Sequence, residues 1–323
     1  MAKKSLSKQN KGLLTLLSLL LIGISLALIY ISTQAVQTRL SLAPKASGLP
    51  KYTCSTGAWK PLSAWTGMDG PVGLTVDPYD NVWVVSDGDH KLRKFSNYGD
   101  PLLNISLGTS QIWGIKSDSL GNVYVSLRTD RKVYRYNNSG SKTGEITTGP
   151  SLTQPMGLSA FKDRLYVIDA AGPTVVRVYN LETLAYISTL SSTNFDAALD
   201  IVAHTPLARG ELGDEILVAR SFNLSGYIRR FDINGNFQNQ FANHDDNFLT
   251  LDSADNIYIS DGFGNGGNGQ VRKYSPSGTL IESLAIGANT VPRGIALSND
   301  GTRLYVSARN SDSIKRYSCA APQ

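Results

Sequence analysis

One pattern, repeated six times along the chain, constrains its fold more than any other feature. The first copy spans residues 70–95, GPVGLTVDPYDNVWVVSDGDHKLRKF. Apolar and polar residues alternate there in three short runs, separated by Gly, Pro, Asp and Asn. Period-two alternation with this punctuation predicts strands at 74–76, 82–85 and 92–95 rather than helices. A unit so small cannot bury its own faces, so its neighbours must cover it. Inner strands are predicted to begin at Gly73, Gly114, Gly157, Asp200, Phe248 and Gly294, in steps of 41, 43, 43, 48 and 46 residues. A period of about 40–50 residues with about four strands per unit predicts propeller blades.

An aromatic recurs in the second strand of five repeats, as Trp83, Tyr124, Tyr166, Tyr258 and Tyr305. Another ends every third strand, as Phe95, Tyr136, Tyr179, Phe231, Tyr274 and Tyr317. Aromatic area at a fixed place in each repeat lets neighbouring sheets bury one another. Five fourth strands can be counted, and the sixth repeat ends without room for one. Residues 58–65 precede the first inner strand as the other fourth strands precede theirs. The expected fold is all-β, a six-bladed β-propeller whose N-terminal strand closes the last blade and removes the open sheet edge. The two cysteines fit this closure. Cys319 lies two residues after Tyr317, as Pro276 follows Tyr274, and Cys54 lies three before Gly57, as Ser275 precedes Gly278. Both map to one turn, which predicts a Cys54–Cys319 disulfide and an oxidising compartment.

The formal charge of +5 is unevenly placed. Residues 1–51 hold seven of the 31 Lys and Arg and no acid, so the other 24 face 26 Asp and Glu. A mildly acidic body lacks the basic stripe of a nucleic-acid-binding domain, and no nucleic-acid partner is expected. Residues 12–38 carry no charge, and their core, 13–31, is close to the roughly 20 apolar residues that span a bilayer as a helix. Four lysines precede it and only Arg39 follows closely, which predicts a cytoplasmic N-terminus and an extracytoplasmic body. The expected organisation is a cytoplasmic basic segment (1–11), one transmembrane signal-anchor helix (12–34), a stalk (35–51) and the propeller (52–323). The other reading is a signal peptide cleaved after Ala35, with Thr33 at the −3 position, releasing a secreted propeller. Both place the body on the same side of the membrane.

The copy at 70–95 and the segment NFLTLDSADNIYISDGFGNGGNGQVRKYSPSG resemble NHL-repeat propeller blades. They share the Pro-x-Gly-Leu opening, the Asp-x-x-Asp-Asn turn, the ISDG strand end and the VRKYSPSG third strand and turn. The resemblance covers about 52–319, strongest in blades one, five and six and weakest in four, where residues 203–214 form an insertion. It implies the propeller fold and either a binding module or an enzyme, since the fold hosts both. Peptidyl-amidating lyase propellers hold zinc with histidines at inner-strand starts. Here those places read Pro71-Val72-Gly73, Pro155-Met156-Gly157 and Pro292-Arg293-Gly294, while His90, His204 and His244 lie elsewhere. Gluconolactonase-type propellers hold a divalent ion with a Glu at an inner-strand start, and this chain has none there. Blade six, SNDGTRLYVS, does resemble that family.

No nucleophile elbow, Cys/His pair or Walker loop is present, and the glycine-rich 262–269 leads into a strand rather than a helix N-terminus. No catalytic residue, metal or cofactor is expected. The ends of the second strands read Asp87, Arg128, Asp169, Arg220, Asp261 and Arg309, an alternation that predicts a charged ring at the propeller mouth. Asp89 and His90 share the first of these loops, and Trp113 and Arg293 at inner-strand starts face the same mouth. These ten residues are the binding candidates. The expected function is non-enzymatic binding or sensing of a protein or small polar ligand at the mouth, with the membrane held by the N-terminal helix. The alternative is a gluconolactonase-like, metal-dependent lactone hydrolase.

Overall fold

A computed structural model describes residues 53–207, 213–220, 226–242, 246–262, 268–288 and 290–319. The expected transmembrane segment and stalk lie outside these residues, as does His244. Among the described residues no helix is long and apolar enough to cross a membrane.

Six four-stranded antiparallel sheets form the six blades. In the first, the strands Pro71–Val76, Val82–Ser86, Lys91–Phe95 and Pro101–Ser106 pair in sequence order from the axis outward. The last sheet takes Pro292–Leu297, Arg303–Ala308 and Ser313–Cys319 from the C-terminal end, and its outer strand, Trp59–Trp65, from the front of the chain. Trp59 pairs with Cys319, and the Cys54–Cys319 disulfide closes the ring across a Cα–Cα distance of 5.9 Å. Both cysteines are buried.

The repeated aromatics are the inter-blade core. Trp83, Tyr124, Tyr166, Tyr258 and Tyr305 are at most 1 % exposed. The polar turn before the second strand explains how the ring stays buried in blades one, two and five. Asp77 accepts from the backbone N–H groups of Tyr79 and Asn81 and from Trp83 Nε1 at 2.9 Å. Asp118 and Asp252 do the same for Tyr124 and Tyr258. Burial, with these aspartates beside them, pushes both phenols far above the usual tyrosine range.

A cation on the third strand then ties blade to blade. Lys94 Nζ donates to Asn138 O of blade two, Arg135 to Leu181 O of blade three, Arg230 to Pro276 O of blade five and Lys273 to Cys54 O at the closure. Arg303, from a second strand, reaches Asn97 O of blade one. Between blades three and four the place is apolar, with Val178 and Ile233 in one cluster. Each link ties a buried or half-buried charge to a backbone carbonyl across a seam.

Candidate functional site at the channel mouth

Every inner strand carries a bulge within two to three residues of its start, between Pro71 and Leu74, Ile112 and Ile115, and at equivalent places in the others. Neighbouring inner strands pass very close there. A Cβ on Gly114 would lie 2.5 Å from Met156 O, and one on Gly157 2.5 Å from Asp200 Cα. Glycine is therefore required at these positions. In blades four and five the same register is held by Asp200 and Phe248. Asp200 Oδ2 accepts from Leu249 N at 3.1 Å.

Trp113 reaches across from blade two and stacks on Phe248 of blade five, with centroids 6.0 Å apart. Its indole N–H donates to Leu199 O of blade four at 3.3 Å. The guanidinium of Arg128 lies 5.9 Å from the indole centroid and that of Arg293 5.5 Å. Both contacts are within cation–π range. Arg128 Nε also donates to the Gln154 side-chain oxygen at 2.7 Å, in the amide orientation that its neighbours require. The mouth thus has an aromatic floor with two arginines on it. Deeper in the channel, burial lowers the Lys116 ammonium while Asp200 partly restores it. Burial raises Asp200 to about 7, against the opposing pull of Lys116.

The expected ring of alternating charge is met at one junction, where Arg309 Nη2 lies 3.6 Å from Asp87 Oδ2 across the closure between blades six and one. Asp87 Oδ1 also accepts from Ile112 N of blade two. Elsewhere Asp89, Asp169, Arg220 and Asp261 pair within their own blade. Arg177 holds Asp169 at 3.5 Å, Arg272 holds Asp261, Arg93 holds Asp89, and Arg229 joins Arg220 on Asp196. Burial alone would raise Asp196, but its two arginines hold it below the usual range. Arg93, Arg177, Arg229 and Arg272 occupy one register position, opposite Val84, Val167, Val218 and Ile259. That explains why Asp169 and Asp261 fall one residue earlier than Asp87. They face an arginine of their own sheet, whereas Asp87 faces the seams. His90 adopts a left-handed backbone (φ 52°), and its Nδ1 donates to Ser110 O at 3.0 Å, joining blades one and two.

The structure therefore brings together Trp113, Arg128 and Arg293, and separately Asp87 and Arg309. Sequence reading missed Phe248, Leu199, Gln154, Lys116 and Asp200. The available signal was the break in the Gly ring at Asp200 and Phe248. Among the described residues no group of three or more His, Cys, Asp or Glu side chains could hold a metal ion.

No family model matches the chain, and no curated protein does. Solved structures do. A streptogramin B lyase superposes with a TM-score of 0.60 at 13% identity, over 81% of this chain and 98% of its own. A selenomethionine-substituted virginiamycin B lyase from Staphylococcus aureus gives 0.58 at 12% identity, over 81% and 99%. At this identity the likeness is one of fold, and it supports the propeller.

Proposed function

We propose that this chain is a membrane-anchored, extracytoplasmic propeller of the NHL-repeat type that binds a polar ligand carrying an anionic group, without turning it over. The single observation behind this reading is the half-buried Trp113 with Arg128 and Arg293 against its face. Guanidinium groups are planar forks suited to carboxylate and phosphate, and an indole floor takes the flat or apolar part of a ligand. The pairs at Asp169, Asp261, Asp89 and Asp196 support the rim rather than contact the ligand.

Binding can be read by tryptophan fluorescence. Trp59, Trp65 and Trp83 are buried, so Trp113 is the indole placed to report. Titration with citrate or inorganic phosphate is expected to quench it saturably, and Arg128→Met with Arg293→Met is expected to abolish the response. Turnover of a sugar lactone that EDTA abolishes would overturn the reading in favour of a lactone hydrolase.

The two lyases support a second reading, an enzyme working at the same mouth. His90 is the group that suits it. With Nδ1 donating to Ser110 O, its Nε2 is an acceptor and can take a proton. His90→Asn, which tolerates the left-handed backbone, would then remove turnover and leave quenching intact.

A further inference from the structure

A cavity of about 390 Å³ opens at the opposite end of the propeller from the mouth. Its lining includes Phe161, His204 and Leu251, the last residues of three consecutive inner strands, in blades three, four and five. Leu207 adds a third apolar wall, and Thr205, Asp252 and Asp255 add polar atoms. The volume suits a small organic molecule, and apolar walls with a few convergent polar groups are the usual composition of such a site.

The charges define what the cavity can take. Lys273 lies 3.5 Å from Asp252, Arg230 lies 3.5 Å from Glu215, and Asp214 is bound by Lys162 and by the Thr205 hydroxyl. Asp255 is different. It is buried, its Oδ2 accepts from Leu207 N, and among the described residues no Lys or Arg pairs with it. Its Oδ1 faces His204 Nδ1 at 3.6 Å. His204 Nε2 lies 2.9 Å from Glu215 Oε1, a contact that places the imidazole proton on Nε2. Nδ1 is buried without a hydrogen-bond partner, and in the neutral ring it is an acceptor turned toward another acceptor. A buried acceptor pair of this kind calls for a donor.

We propose that the cavity binds a small organic ammonium, whose N–H groups donate to Asp255 Oδ1 and His204 Nδ1 while its apolar part lies among Phe161, Leu207 and Leu251. The Phe161 ring is one of these walls, and an aromatic face attracts a cation. The site is independent of the mouth.

The test is calorimetric titration of the full-length chain with phenethylammonium in mildly alkaline buffer. Its neutral counterpart, 2-phenylethanol, is titrated in parallel. Saturable binding of the ammonium is expected, with the alcohol weaker by about tenfold or more, the step that one charge-assisted hydrogen bond supplies. Asp255→Asn should lose that preference. Asp255 has φ 57°, a conformation Asn also accepts, so this variant keeps its backbone. Leu207→Trp, at a partly exposed wall, should fill the cavity and remove binding of both compounds. Equal affinity for the alcohol, an unaffected Asp255→Asn, or no binding to the folded chain at about 10 mM would each overturn the proposal.

Discussion

At the turn face of the propeller, Lys94, Arg135, Arg230 and Lys273 perform one task from one register position, each reaching a carbonyl of the next blade. At the mouth, the six residues at the corresponding inner-strand starts are Val72, Trp113, Met156, Leu199, Asn247 and Arg293, and no two are alike. The chemical difference follows from what each end must do. Every seam needs its buried polar groups satisfied, and a repeated fold meets that need with a repeated side chain. A ligand is not six-fold symmetric, so a binding surface has no reason to repeat. Repetition therefore marks the structural layer and its failure marks the functional one. By that criterion the Arg–Asp pairs of blades one, three, four and five belong to the structure, although they lie near the mouth. Trp113 and Arg293 do not repeat, and Arg128, which shares its register with Arg309, is set apart by its contact with Trp113.

The largest effect is expected from breaking the turn-face layer. Asp77→Ala removes the acceptor of Trp83 Nε1 and the carboxylate 3.6 Å from Lys94, an ammonium that burial already lowers. Leaving a buried charge and a buried indole N–H without their partner should cost about 3–5 kcal/mol. Urea denaturation would measure it, and ligand quenching of Trp113 in the variant still folded should be unchanged. A loss of quenching with no loss of stability would erase the distinction between the two ends.

Next comes the closure. Replacing Cys54 and Cys319 together by Ser opens a loop of 265 residues. Its loss should lower stability by about 2–5 kcal/mol, the upper figure being the chain-entropy limit for so long a loop. The same variant should become sensitive to proteolysis near Trp59–Trp65, since the backbone of that strand pairs only with the last strand of the sixth blade. A reducing agent should reproduce the effect in the parent chain and leave the double variant unaffected.

What was legible in the sequence divides along the same line. The period, the closing strand, the cysteine pair and the aromatic core could be read because each is fixed by strand alternation, turn chemistry or a register shared by all the blades. The insertion at 203–214 was visible as a lapse in that grammar, though not that His204 would stand in the register of Asp77 and Glu215 in that of Asn81. The mouth was only half legible. Listing Asp87, Asp169 and Asp261 together treated a sequence alternation as a spatial ring. Their partners depend on the third-strand register and on which side of each seam the carboxylate faces, and neither is set by local sequence. Trp113 could be placed at the mouth, but its contacts with Leu199 and Phe248, 86 and 135 residues later, exist only once six blades surround one axis.

The smallest effect should come from the channel between the two ends, where Asp200 stands in the register of Gly73, Gly114, Gly157 and Gly294. Its folded-state pKa, about 7, is raised from 3.8 chiefly by burial. The fold therefore favours the protonated carboxyl. As pH rises from about 4 to about 7 the unfolded chain releases this proton and the folded chain retains it, so Asp200 contributes stability at low pH that is lost through this window. Lys116, lowered by burial, has the complementary sense, since the folded state favours its neutral amine and regains stability only on the alkaline side. Carboxylates held below the usual range, such as Asp196 and Asp300, act in the opposite direction to Asp200 over the same acid range. The quantity to measure is therefore the difference in melting temperature between the parent chain and Asp200→Asn. Asn keeps an acceptor for Leu249 N and does not titrate, so this difference should fall steadily between about pH 4 and 7 and then level off. A difference independent of pH would place the Asp200 charge outside the low-dielectric channel and make this position one more element of blade structure.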